Sequence, residues 1–219
     1  MITVWGEGRG FRVIWLLEEM GLPFRLRPVD LLAGVENDPE FLAINPGGFI
    51  PALQDGDVTM VESIAIMEYL IARYGHESKG GAPLAPAPND PAFALYQQFL
   101  HLGEAGLGAN IQVVVVSGFI APESERNNWG ARWALDQFQS RRRLLARQLA
   151  RAPYMAGDTF TAADISVTYT LNLAGRRGGI VLDDAERAYM ARTTGRDGYQ
   201  RTLEACPATK GFYASVPML

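Results

Sequence analysis

Cysteine is almost missing from this chain. One residue in 219, Cys206, excludes an internal disulfide and any paired-cysteine redox or zinc motif. Histidine is nearly as scarce, at His76 and His101, so with so few nitrogen and sulfur ligands no metal site is expected. No excess of positive charge exists either: 20 Lys and Arg stand against 24 Asp and Glu, a net charge of −4, and nucleic acid is not expected as a partner. Arg141 to Arg143 lie in the helical stretch DQFQSRRRLLARQLA and read as a solvated face. The apolar run VVVV, Val113 to Val116, is far shorter than the roughly 18 residues of a membrane helix, so no membrane partner is expected. The opening MITVWGEGRG lacks the basic start and apolar core of a signal peptide. These absences together make the cytoplasm the expected location.

What is present is an ordinary soluble composition, 48% apolar and 20% charged, enough for a sizeable core. The first 75 residues alternate in type. Residues 2 to 5 read as strand and 10 to 20 as helix, stopped by Gly21 in the usual C-terminal glycine position. FRLRPV alternates as a strand, a short helix follows around Pro39 to Ala43, and PALQDGDVTMV reads as a hairpin turning at Asp55-Gly56. Ser63 opens the helix SIAIMEYLIARYG. The segment HESKGGAPLAPAPNDP has no apolar period and reads as a linker. Beyond it, helices are predicted over about 91–117, 123–151, 161–175, 184–194 and 196–205. The expected organisation is an α/β domain over 1–76, a linker over 77–90 and an all-α domain over 91–219.

Three stretches carry chemical information. In NPGGFIPAL, Pro51 begins a strand after Ile50, where an X-Pro bond can be cis. A cis bond would turn the Ile50 main chain outward to pair with an extended ligand; the alternative is an edge-strand proline with no ligand. In VESIAIMEYL, Ser63 at a helix start favours a carboxylate and Glu62 beside it can hold an ammonium, the two charges of an amino-acid head group. An ordinary helix cap has the same two residues. In PYMAGDTFTAADISVTY, Thr161 and Asp164 have the spacing of a capping box, with Phe160 and Ile165 placed to staple the chain across it, a purely structural motif.

Taken in order, these stretches resemble the cytosolic glutathione S-transferase family over nearly the whole chain, including WLLEEMGLPF, NPGGFIPAL, ESIAIMEYL, the Pro-rich linker and AGDTFTAADIS. The resemblance implies a thioredoxin-like N-terminal domain, an all-helical C-terminal domain, a homodimer, and glutathione as cofactor or substrate. Carried over by position, Ile50, held by Pro51, would pair with the cysteinyl part of glutathione. Glu62 and Ser63 would take its γ-glutamyl head, and Asn37 its glycyl carboxylate. Phe99, His101 and Glu104 would line a pocket for a small apolar electrophile, with room left by Gly8, Gly103, Gly106 and Gly108. For His101, simple packing or surface exposure is the competing role.

One departure stands out. Family members supply a Ser, Tyr or Cys near the first turn to meet the glutathione sulfur, whereas here the Ser position falls at Gly8 and the Tyr position near Trp5. The turn WGEGRGF offers only main chain and Arg9. The expectation is that the N–H groups of Gly10 and Phe11, with Arg9 donating from the side, stabilise the thiolate; Arg9 is equally suited to a salt bridge or a dimer contact. The spacing GxGxG is neither a dinucleotide fingerprint nor a Walker loop. Three functions follow: a transferase adding the thiolate to an electrophile; a non-catalytic binder of glutathione or apolar ligands or a regulatory partner domain of the same fold; or a glutathione-dependent reduction, isomerisation or ether cleavage at the same site.

Overall fold

The structure, a computed structural model, describes residues 1–31, 33–75 and 77–218. His76 and Leu219, the last residues of the two expected domains, lie outside the described residues. The chain forms two compact units, Met1–Leu84 with Arg196–Phe212, and Ala85–Gly195 with Tyr213–Leu219.

In the first unit, β1 (Ile2–Trp5) pairs in parallel with β2 (Phe24–Arg27), the α1 helix (Gly10–Met20) making the crossover. It pairs antiparallel with β3 (Ala52–Asp55), Trp5 standing opposite Ala52, and β3 turns back into β4 (Val58–Val61) at the expected Asp55-Gly56 hairpin. The sheet order is β2-β1-β3-β4. Two further helices complete the thioredoxin-like arrangement. The first, α2 (Pro39–Ile44), is capped by the Asp38 carboxylate accepting from Phe41 N–H, and the second is α3 (Ser63–Tyr74). Gly21 ends α1 in the left-handed conformation at φ 69°, donating to Leu17 C=O, as a terminal glycine does.

Helix α1 is buried from Phe11 through Leu17, more than one face's worth, so it needs a second cover besides the sheet. That cover comes from the far end of the chain. Tyr199 on α9 (Asp197–Ala205) meets Trp15 and Phe11 edge-on, with ring centroids 4.9 and 5.5 Å apart. The Glu19 carboxylate accepts from Trp15 Nε1 at 3.0 Å and from the Arg196 guanidinium through two bonds of 2.8 Å. Residues 196–212, expected in the all-α domain, therefore pack with the first unit. Helix α10 (Pro207–Ser215) follows.

The second unit is helical. One continuous run joins α4 (Phe93–His101), a π-helical segment over Leu102–Gly108, and α5 (Ala109–Phe119). It is 27 residues long, and an 18-residue stretch within it has a mean hydropathy of 1.3, long and apolar enough to cross a membrane by length and composition. In the sequence this is not an unbroken apolar run, because polar residues such as His101 and Glu104 interrupt it. Here the run packs against α6 (Trp129–Leu149) and α7 (Ala162–Arg177). The wide π turn leaves carbonyls for α7 hydroxyls: Ser166 Oγ donates to Leu100 C=O at 2.8 Å and Thr170 Oγ1 to Gly103 C=O at 2.6 Å. Arg142 departs from the solvated reading of its run. It pairs with the buried Glu186 on α8 (Asp184–Thr194), while Arg143 donates to Ser140 Oγ at 2.9 Å.

The capping box forms as its spacing predicts. Thr161 N–H donates to Asp164 Oδ2 at 2.8 Å, and Oδ1 receives Met155 N–H at 2.9 Å and the Tyr189 hydroxyl at 3.0 Å. Burial pushes the Asp164 carboxyl up to about 6 in spite of these donors. A raised carboxyl in the fold means that, between about pH 4 and 6, the native state keeps a proton that the unfolded chain releases; native stability then falls as pH rises through that window, by about 3 kcal/mol in all. In Asp164→Asn this loss is absent. Urea unfolding at stepped pH should show the wild type losing stability relative to Asp164→Asn from pH 4 to 6; parallel curves would refute it.

Candidate functional site

The turn between β1 and α1 is laid against Ile50 and Pro51 by three alternating glycines. Gly6 and Gly8 hold φ of 83° and 59°, conformations open to glycine at little steric cost. A Cβ at Gly6 would overlap the Ile50 side chain, one at Gly8 would stand 3.2 Å from Ile50 Cδ1, and one at Gly10 would stand 3.3 Å from Pro51 Cβ. Gly6 N–H donates to Arg27 C=O at 2.9 Å, tying the turn to β2. The glycines of GEGRG thus let two main chains approach each other.

Within the turn, Gly10 N–H donates to Glu7 C=O at 2.9 Å and Phe11 N–H to Gly8 C=O at 3.0 Å. These two amides, expected to hold a thiolate, are already engaged, and the Phe11 side chain is fully buried in the α1 core. Among the described residues the Gly8 N–H makes no such bond. Gly8 is exposed and Arg9, at the N-cap of α1, is half-buried.

Ile50–Pro51 is cis. Ile50 lies outside β3, half-buried, and among the described residues its N–H and C=O make no turn or loop hydrogen bond. Glu62 is exposed and takes φ 71°, ψ 107°, a costly conformation for a residue with a side chain. Ser63 follows, buried at the first position of α3, and its hydroxyl oxygen accepts from Arg12 Nη1 at 3.3 Å. With Arg12 donating, the Ser63 hydroxyl proton is left to point elsewhere. Asn37 lies in a short 3-10 turn (Val35–Asn37), exposed, with its amide donating to Ala33 C=O at 2.8 Å. Trp5 is core: its ring stacks on Phe41 at 6.2 Å under the Arg27 guanidinium at 5.2 Å.

The glutathione S-transferase N-terminal domain family matches residues 10–73. A maize protein, glutathione S-transferase 3, is 32% identical over 208 residues, which cover 90% of this chain and 89% of the relative. GstB of Escherichia coli, also a glutathione S-transferase, is 29% identical over 76% of this chain and 80% of its own. Among solved structures, a theta class glutathione S-transferase from Xanthomonas axonopodis pv. citri with glutathione bound is 27% identical. Its TM-score is 0.76, and the match covers 92% of this chain and 96% of that one. The chain belongs to the glutathione S-transferase family.

In this glutathione S-transferase the residues expected at the electrophile divide. Phe99 is 1% exposed, so its ring fills the helical core and does not line an open pocket. His101 is exposed and bonded to Gln97 Oε1 at 3.1 Å, while Glu104 is half-buried, its Oε2 standing 3.0 Å from where a Cβ on Gly108 would sit. The space beside Gly103 is filled by Ser166 and that beside Gly106 by Leu102, so these glycines serve close packing. Among the described residues no group of His, Cys, Asp and Glu is arranged to hold a metal. Two residues escaped the sequence reading. Arg12 left a signal, a lone cation inside the apolar run FRVIWLL. Glu7 left none.

Steric and backbone terms together set the cost of a side chain in the turn. Gly6→Ala should lose about 3 kcal/mol, from left-handed strain plus overlap with Ile50. Gly56→Ala, at φ 60° with open space around it, should lose only about 1 kcal/mol from strain. Equal losses in denaturant unfolding would refute the steric role of the Ile50 contact.

Proposed function

We propose that the protein is a glutathione transferase that adds the thiolate of bound glutathione to a small apolar electrophile. The observation that carries this reading is the coincidence, in one unit, of unpaired Ile50 main chain with a buried Ser63 hydroxyl backed by Arg12 at a helix start. Glutathione would lie extended along Ile50 with its γ-glutamyl carboxylate on Ser63 and the α3 N-terminus, its ammonium on Glu62, and its glycyl carboxylate near Asn37. It is a consumed substrate here: the thiolate lone pair forms the new S–C bond, and in an addition the neighbouring carbon takes a proton from water. The same reading makes the protein a cytosolic homodimer with its electrophile contacts on the helical unit, where His101 and Glu104 are the accessible candidates.

Thiolate stabilisation moves from the Gly10 and Phe11 amides to the Gly8 N–H, Arg9 and the α1 dipole. A free thiol ionises near pH 8.5, and lowering that by about two units takes roughly 2.7 kcal/mol. A helix start contributes about 0.3–1 kcal/mol and one charge-assisted hydrogen bond about 1.5–3 kcal/mol, so one good donor suffices. The engaged amides favour a second reading, a glutathione binder without turnover. Calorimetry with glutathione beside a conjugation assay separates the two: binding with turnover supports the transferase, binding alone the second reading, and no binding overturns both.

Ser63→Ala should weaken glutathione binding about 10- to 100-fold, the loss of one hydrogen bond to a charged group. Glu62→Gly should weaken binding while raising fold stability by about 1 kcal/mol, because it relieves the positive φ. Calorimetry and urea titration read the two effects; a Glu62→Gly variant that loses stability, or a Ser63→Ala variant with unchanged affinity, would contradict the assignment.

A further inference from the structure

Glu7 is a buried carboxylate, 9% exposed, in a turn that otherwise offers only main chain and Arg9. Among the described residues it pairs with no cation. Its two oxygens instead accept from Ala208 N–H at 3.2 Å and Thr209 N–H at 2.7 Å. Those are first-turn amides of α10, which have no acceptor within their own helix, and a carboxylate there is favoured by both the open donors and the dipole. Glu7 sits between Gly6 and Gly8, both at positive φ, so the main chain on either side has more freedom than any other residue type would leave it.

We propose that Glu7 is a positioning residue for the thiol: its lock on α10 holds the Gly6–Gly10 main chain on the path that aims the Gly8 N–H and the α1 N-terminus at the sulfur. This inference rests on the glutathione reading above. A side chain that supplied a hydroxyl would bring its own rotamer preferences to the task. A glycine turn brings none, and the lock supplies the rigidity from 200 residues away in sequence. Aiming the carboxylate at two amides also turns its negative charge away from a thiolate, which it would otherwise oppose.

The test uses full-length Glu7→Ala, Glu7→Gln and Thr209→Pro, the last removing the donor of the shorter bond while leaving Glu7 intact. The ionisation of bound glutathione is followed by thiolate absorbance against pH, with S-methylglutathione affinity as the control for the rest of the site. In Glu7→Ala the thiol should ionise about one pH unit higher, a tenfold loss of thiolate at fixed lower pH, with S-methylglutathione affinity changed less than about twofold. Glu7→Gln, which keeps one acceptor oxygen, should fall between, and Thr209→Pro combined with Glu7→Ala should be no worse than the single changes. A charge effect alone moves the thiol the other way, because removing an anion eases ionisation. A fall or no change in Glu7→Ala, or additive losses in the double variant, overturns the proposal. If Glu7→Ala does not fold, Glu7→Gln and Thr209→Pro decide by the same measure. A wild type that binds neither glutathione nor its S-methyl form overturns the underlying reading and this one together; a binding wild type with indistinguishable variants overturns only this one.

Discussion

The contact of the β1–α1 turn with Ile50 and Pro51 governs the site. The antiparallel register that sets Trp5 opposite Ala52 brings the residue after β1 and the residues before β3 side by side, with no strand hydrogen bonds to space them. Only a chain lacking Cβ atoms at alternate positions can run there, and GEGRG is such a chain. The Ile50 side chain is taken up by the turn, and among the described residues its N–H and C=O make no turn or loop hydrogen bond. The same contact fixes where α1 begins, and so where its dipole points. The departure at Gly8 is therefore more than a deleted hydroxyl: a side chain there would need φ 59° and would crowd Ile50 Cδ1.

A buried cation stands behind Ser63. Arg12 is fully enclosed and donates to Ser63, and a buried charge is tolerated only where hydrogen bonds and a counter-charge offset its desolvation. Glu62 is held at positive φ one residue earlier. That cost, about 1–3 kcal/mol, is understandable if the geometry is set by binding and not by folding, and it separates this Glu-Ser pair from an ordinary cap.

Much of the secondary structure is legible because its signals are local. Gly21 and Asp55-Gly56 in the first unit and the Thr161–Asp164 spacing in the second each act within a few residues, and each appears where the sequence places it. What was missed depends on contacts between distant segments. The packing of Tyr199 and Arg196 on α1 is written in sequence only as an excess of apolar residues around that helix, Phe11 and Trp15 beyond Val13, Leu16 and Leu17, together with Glu19 one turn after Trp15. The state of the Gly10 and Phe11 amides is hidden for the opposite reason: a helix start implies open amides, but the turn preceding this one closes those two on Glu7 and Gly8. Gly103 suggests open space in the sequence, whereas its neighbour across the helical core is Ser166. Glycine in a sequence cannot distinguish room left for a ligand from room left for another helix.

The turn also bears on how a thiolate can be held without a hydroxyl. A serine or tyrosine donor must be fixed in one rotamer to be useful, at a cost in side-chain entropy, though it can rotate to follow the sulfur. A main-chain N–H loses no rotamer freedom and cannot rotate, so its usefulness depends wholly on whether the backbone is rigid where it must aim. In a run of alternating glycines that rigidity has to come from outside the run: from the bond of Gly6 to β2, from the Ile50 side chain against Gly6 and Gly8, and from the Glu7 carboxylate on α10. All three constraints converge on five residues, among which the Gly8 N–H, in the described residues, makes no backbone hydrogen bond within the turn. A turn fastened at these three points has the rigidity that a main-chain donor would need for such a task.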